Sequence, residues 1–332
     1  MSPLHDLAVY AGITLYSAVL VLGLSRFMAP IQLFAYLNIG FTIVHHGPTW
    51  IRVFLDKEVL REHKKQVLLF PPAVVLFVYL TRGQPFIVLF IVYFWDRYHA
   101  IMQNYGFLRL YDAKFGGAPS RFPKIDLAAL FASAFVLLTF NAGLQSELFH
   151  HLSVVGVSAA SDPQSVYALR GLAIIIAVPI FAAYAWSIFD DARRRGGYNV
   201  PKLTYFASLV GGHLLMNTTS SLLLLSCHEK IYHSTQYVVL VQHYNQNRVK
   251  KSEASETTRL FRWIATPSGM PLYLGLLAVY AAVMVVLDPS VLPSRGYLAP
   301  QYTYPAVLAG LTHYYYDSFL WRVRRKSVRS RL

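Results

Sequence analysis

The chain has 332 residues, 55% of them hydrophobic and 14% charged, with a mean hydropathy of +0.40. Soluble proteins carry about 25% charged residues, so the two soluble domains that this length would allow at roughly 150 residues each give way to a bundle dissolved in lipid. Lys and Arg number 30 against 16 Asp and Glu, a formal charge of +14, and the single cysteine, Cys227, excludes an intramolecular disulfide and a thiolate-based metal site.

About 20 apolar residues cross the hydrocarbon core. Such runs fall near 7–27, 30–51, 66–82, 85–108 and 126–144, then near 166–189, 203–225, 229–247, 270–287 and 304–321. The first has no basic segment before it and is long enough to span, so it reads as a retained helix and not a cleaved signal. Cytoplasmic loops are enriched in Lys and Arg. With the N-terminus inside, segments 52–65, 109–124, 193–202, 248–262 and 322–332 are cytoplasmic and hold 5, 4, 4, 5 and 6 basic residues, 24 of the 30. The opposite connections keep Arg26, Arg82, Arg170, Lys230 and Arg295, while Arg97 falls within a span. The alternation requires the polar segment at 229–247 to cross as well. The expected fold is all-α: a polytopic bundle of ten transmembrane helices with both termini cytoplasmic. It forms one integral-membrane domain over 1–332, ending in a basic tail, 322–332, and a bacterial-type inner membrane suits the charge pattern. That tail would lie well on anionic membrane lipids. No soluble domain is left to bind nucleic acid.

Polar side chains are costly at bilayer depth and mark function there. Five of the ten spans carry histidine, and their polar residues follow helical spacing. The second span has Asn38, Thr42, His45 and Thr49, with His46 about 100° from His45, so that the two cannot both face one point without distortion. The fourth has Asp96, His99 and Gln103, and the seventh His213 and Asn217. The eighth has Glu229, His233, Gln236, His243 and Asn247, and the tenth His313 and Asp317. At 1.5 Å of rise per residue, His45, His99, His213, His233 and His313 lie about 10 to 15 Å from the cytoplasmic ends of their spans. Five histidines from five helices therefore share one layer.

Neutral imidazole is the commonest metal ligand, and a carboxylate one turn away can bind the ion or accept the second ring N–H. Candidate ligands are His45 or His46, His99, His213, His233 and His313. Asp96, Glu229 and Asp317 are candidate catalytic carboxylates, Asn217 and Gln236 candidate substrate contacts, and Gln103 and Asn38 hydrogen-bonding neighbours of the ligands. A donor set without thiolate suits iron, one ion or two, with zinc and manganese open. The reading is a metal-dependent oxidoreductase: a non-haem iron oxygenase, hydroxylase or desaturase taking an apolar, lipid-like substrate, O₂ and electrons from a donor that the sequence does not name. Polar glue between helices is the plainer account of any one histidine, but not of five at one depth. Two other functions use the same residues. A proton- or cation-coupled transporter would place them along its path, although no inverted repeat is visible. A metal-independent lipid transferase would need one histidine as general base and leaves the others unexplained.

His228, Glu229 and His233 resemble the first His-x4-His box of membrane fatty-acid desaturases and hydroxylases, although the two later boxes of that family are not found. His45 followed by Gly47, and His313 late in the chain, resemble bacterial membrane carotene-cleaving dioxygenases, in which single histidines on separate helices hold one iron. Both resemblances imply non-haem iron and an apolar substrate.

Overall fold

Met270–Leu287 shows why helix dominates this chain: it is apolar from end to end, so its peptide groups find no polar side chain to turn to and bond along the helix itself. In a computed structural model, residues 7–82, 84–116, 120–154, 163–251, 256–287 and 304–321 are described, and the predicted basic tail 322–332 lies outside them. Among the described residues the fold is all-α, the one pairing of extended backbone being an isolated bridge between Asp56 and Thr257.

A π-helical turn, Leu7–Gly12, leads into α1 (Ile13–Leu24). α2 (Pro30–Leu37) passes through a second π-helical segment, Asn38–Ile43, into α3 (Val44–Leu55). α4 (Lys57–Glu62) is capped by Asp56, whose carboxylate accepts from the Glu58 N–H at 3.2 Å. Then come α5 (Lys64–Leu80), α6 (Pro85–Phe115), α7 (Pro123–Phe140), α8 (Ala142–Val154) and α9 (Pro163–Arg195). α10 (Val200–Met216) is capped by Asn199, α11 runs from Leu222 to Lys251, and α12 (Arg259–Ile264) is capped by Thr258. α13 (Met270–Leu287) and α14 (Tyr304–Leu320) complete the order. Among the described residues three helices, Pro123–Phe140, Gln164–Arg195 and Met270–Leu287, are long and apolar enough to cross a membrane, and Ala8–Leu24 is a shorter apolar helix.

The break near 226–228 expected from hydropathy falls earlier, at 217–221. The run Asn217-Thr218-Thr219-Ser220-Ser221 supplies side chains that compete with the helix ladder. Thr218 donates to the Leu215 carbonyl at 2.7 Å, and the Ser221 hydroxyl accepts from the Leu224 N–H to begin the next helix. The polar segment at 229–247 is thereby the body of a 30-residue helix.

The chain packs as two compact units, Met1–Pro30 with Arg97–Tyr232 and Ile31–Asp96 with His233–Leu332, the divisions falling after the first residue of α2 and within α6 and α11. In the first unit α1 lies on α10, and α7 pairs with α9. In the second, α14 packs on α3 and α5, while α13 packs on α3 and the π segment before it. Apolar clusters such as Ile43, Ala281, Met284 and Ala309 cement those contacts.

Candidate metal centre

In the second unit three helices contribute a polar stripe each: His45, His46 and Thr49 from α3, His233 and Tyr237 from α11, and His313 and Asp317 from α14. His45, His46 and His313 are all buried. Their ring centroids form a nearly equilateral triangle with sides of 4.6, 4.7 and 4.7 Å. Adjacent residues on a helix diverge by about 100°, and His313 meets both because its ring stands opposite the gap between them. Each of the three offers a ring nitrogen within 4.8 Å of the others. His233 adds a fourth ring, 5.1 Å from that of His45. α3 approaches α13 closely beside these ligands: a Cβ on Gly47 would run into the Leu277 side chain.

The hydrogen bonds around the triangle decide where its protons sit. His45 Nδ1 lies 2.6 Å from the Thr42 carbonyl, which only accepts, so Nδ1 carries the proton and Nε2 the lone pair. Asp317 Oδ1 receives the hydroxyls of Tyr237 at 2.7 Å and Thr49 at 3.0 Å. Thr49 Oγ also lies 2.6 Å from the Tyr237 hydroxyl and 2.8 Å from His313 Nδ1, and with its one proton given to Asp317 or Tyr237 it accepts from His313 Nδ1. His313 is thus also held with its lone pair on Nε2, the atom 3.7 Å from Asp317 Oδ2. Trp321 donates to the Tyr237 oxygen at 3.2 Å and closes the network. A carbonyl or carboxylate behind an imidazole is how proteins fix the tautomer and direction of a metal-binding histidine. Nitrogen ligands at about 2.1 Å from one ion lie within about 4.2 Å of each other, so small ring rotations would close this set around a metal. The residues present fit one.

The other sequence candidates are distributed as follows. Asp96 belongs to the same unit and accepts from the Tyr314 hydroxyl at 2.7 Å, and Gln236 and Asn38 are buried there on α11 and the π segment. His99, Gln103, His213, Asn217 and Glu229 belong to the first unit. His99 is buried on α6, which also carries the half-buried Gln103, and Glu229 forms an ion pair with Arg97. Asn217 ends α10, and the His213 ring lies 5.8 Å from that of His228. The box His228–His233 is split: His228 Nδ1 meets Ser17 Oγ at 2.8 Å in the first unit, while His233 joins the triangle in the second.

Two functional candidates escape a sequence reading. Tyr237 is one of 23 tyrosines and stands out only as the residue one turn after His233. Arg52 counts as a loop charge in the sequence, yet it is buried on α3 one turn beyond Thr49. No family model matches the chain, and neither the curated proteins nor the solved structures contain a match to it.

Proposed function

We propose that His45, His46 and His313 bind a single iron ion, and that the protein is a membrane-embedded non-haem oxygenase, hydroxylase or desaturase of an apolar, lipid-like substrate. The observation that carries this reading is the pair of hydrogen bonds, His45 Nδ1 to the Thr42 carbonyl and His313 Nδ1 to the Thr49 hydroxyl, that orient two rings whose ligand atoms lie within 4.8 Å of each other and of a third histidine's. Three imidazoles with one nearby carboxylate, and no thiolate, make a donor set suited to non-haem iron. Bound iron would supply the activation of O₂. The chain's own residues do the rest. Asp317, through Thr49 and Tyr237, holds His313 in one orientation and keeps its proton on Nδ1. Burial of the three ligands keeps water away from the site, and a lipid-soluble substrate is what such a site admits.

The membrane reading has two supports. Basic residues alternate between successive connections across ten spans, which puts both termini on the cytoplasmic side. α9 also turns Ile174, Ile175, Val178 and Trp186 outward, an exposed apolar face that lipid would cover. Topology is tested with single cysteines in a Cys227→Ser background. Cysteines at Lys57, Lys114 and Arg193 are expected to react with an impermeant maleimide only from the cytoplasmic side, and one at Ser25 from the other.

The metal is tested by elemental mass spectrometry on detergent-purified protein. About one iron per chain is expected in the wild type, and none in folded His45→Ala or His313→Ala. Zinc in its place would turn the reading to hydrolysis. Absence of any metal after anaerobic loading with Fe(II) would end it.

A further inference from the structure

The second unit buries two arginines close together along the sides of α3 and α11, and it treats them in opposite ways. Arg248, fully buried on α11, is met by Asp56 at 3.1 and 3.3 Å, by Glu58 at 2.5 Å and by Glu256 at 2.7 Å. Among the described residues no carboxylate is hydrogen-bonded or ion-paired to Arg52, which is 2% exposed on α3. Its Cζ lies 4.1 Å from the centroid of Tyr244 and 4.6 Å from that of Trp321. Aromatic rings engage the flat faces of a guanidinium. Its N–H groups point outward in the plane, and there Nε and Nη1 hydrogen-bond to nothing among the described residues. Asp317 feels the charge across space without a hydrogen bond to it. A buried cation left without a hydrogen-bonded counter-charge is costly, and a fold that supplies three carboxylates to Arg248 had the means to supply one here. On the same turn of α11 as Tyr244, Asn245 is 1% exposed, and both the oxygen and the nitrogen of its amide lack a partner among the described residues. Two polar side chains, each more than nine-tenths buried, thus have unused donors at one level of the unit.

We infer that Arg52 receives the anionic oxygens of an amphiphilic ligand, a carboxylate or phosphate at the end of an apolar chain. The planar fork of a guanidinium fits two oxygens of such a group at once. Position supports an amphiphile over a small ion. Arg52 follows His45 by seven residues on one helix, so the two sit roughly 10 Å apart along its axis. A charged end at Arg52 would lay the ligand's apolar body toward the histidine triangle. Built on the metal reading, the inference fixes the place of reaction at a set distance from the charged end, but the anion site stands or falls by its own measurement.

The test is equilibrium binding of radiolabelled hexadecanoate, hexadecyl phosphate, hexadecanol and inorganic phosphate to the full chain in a non-ionic detergent, with wild type, Arg52→Lys and Arg52→Gln. One or both anionic amphiphiles should bind the wild type, at least tenfold more weakly in Arg52→Gln and with intermediate affinity in Arg52→Lys. Whichever of the two binds more tightly names the headgroup. Hexadecanol binding should be equal in all three proteins. Arg52→Gln removes a charge that lacks an ion pair, so its melting temperature without ligand should match or exceed that of the wild type, and the anionic amphiphile should raise the melting temperature of the wild type alone. Unchanged anion binding in Arg52→Gln would overturn the inference. So would a parallel loss of hexadecanol, a lower melting temperature of the unliganded variant, or inorganic phosphate binding as tightly as hexadecyl phosphate. Metal content separates this from the metal reading: Arg52→Gln should keep its iron, and loss of iron in His45→Ala should leave anion binding intact.

Discussion

The two units bury polar clusters of opposite design. In the first, Lys202 bridges Asp112 and Asp126 at 3.0 and 2.9 Å, Arg109 reaches the same carboxylates at 2.6 and 3.3 Å, and Arg195 approaches Asp112 at 3.4 Å. Each cation there has a carboxylate partner, Arg195 also approaching Asp191 at 3.9 Å, and the cluster ties α6, α7, α9 and α10 together. In the second, hydrogen bonds to the Thr42 carbonyl and the Thr49 hydroxyl hold the His45 and His313 rings, and these and His46 each bring a ring nitrogen within 4.8 Å of the others. On the proposed reading the first arrangement is architecture, and the second is a set of donors that would hold a cation.

The sharpest way to break that distinction is to remove one member of each cluster. His313→Ala takes out a ligand and the donor to Thr49. Its iron content should fall from about one per chain to below detection, with oxygenase activity lost alongside, while a circular-dichroism spectrum reports the helices intact. A chelator gives the same contrast without mutation. A metal present at 100 times its dissociation constant stabilises the folded state by about 2.7 kcal/mol, so chelation should lower the melting temperature of the wild type and leave that of His313→Ala unmoved. If both proteins melt alike with and without metal, the triangle is structural glue. Lys202→Met attacks the other design. It leaves Asp126 with Arg109 at 3.3 Å, and since a buried pair broken outright costs about 3 to 5 kcal/mol, this partial loss should cost less than that. Melting temperature should drop while iron per folded chain stays at the wild-type level. Loss of iron with unchanged stability would reverse the roles assigned to the two clusters.

Asp317→Asn probes the support behind the ligands. The amide keeps the shape but loses the charge that collects the Thr49 and Tyr237 hydroxyls. Changes behind a metal-binding histidine cost about 10- to 100-fold in metal affinity, so titration with a competing chelator should show a weakening of that size with the fold retained. An unchanged affinity would mean that Asp317 serves packing and not the His313 tautomer.

What the sequence makes legible is whatever helical periodicity alone decides. His45 with Thr49, and His313 with Asp317, are one turn apart in sequence and one turn apart on their helices, so their joint orientation could be read directly. The helical character of the chain was legible for the same reason. Periodicity did not reveal which stripes meet. His228 and His233 look like one motif, but five residues rotate about 140° around a helix, and the two rings belong to different units. Tyr237 acquires its role only from the arrival of Asp317 on another helix. Arg52 reads as a topological charge until Tyr244 and Trp321 enclose it. The end of α10 was misplaced because hydropathy averages over Asn217 to Ser221, whose hydroxyls act on individual carbonyls and N–H groups.

The smallest expected effect asks whether polar bonds or packing position the ligands. Gly47 follows His46 directly, and a methyl group there presses on the end of the Leu277 side chain. Alanine gains about 1 kcal/mol over glycine within a helix, and forcing an extra methyl into a packed site costs about 1 to 3 kcal/mol. Leu277 can answer by changing rotamer, since the methyl meets the tip of a flexible side chain and not backbone, so the cost belongs at the low end. Gly47→Ala should therefore alter stability by no more than about 1 kcal/mol in denaturant titrations. It should also leave iron affinity within about threefold of wild type, because His45 takes its direction from Thr42 on its own helix, a bond that survives a small retreat of α3 from α13. His46 adjoins Gly47 on α3 and moves with that helix. A tenfold or greater loss of affinity in Gly47→Ala would move the control of ligand geometry from the hydrogen bonds to the α3–α13 contact. The two clusters would then differ in chemistry but share one dependence on close helix packing.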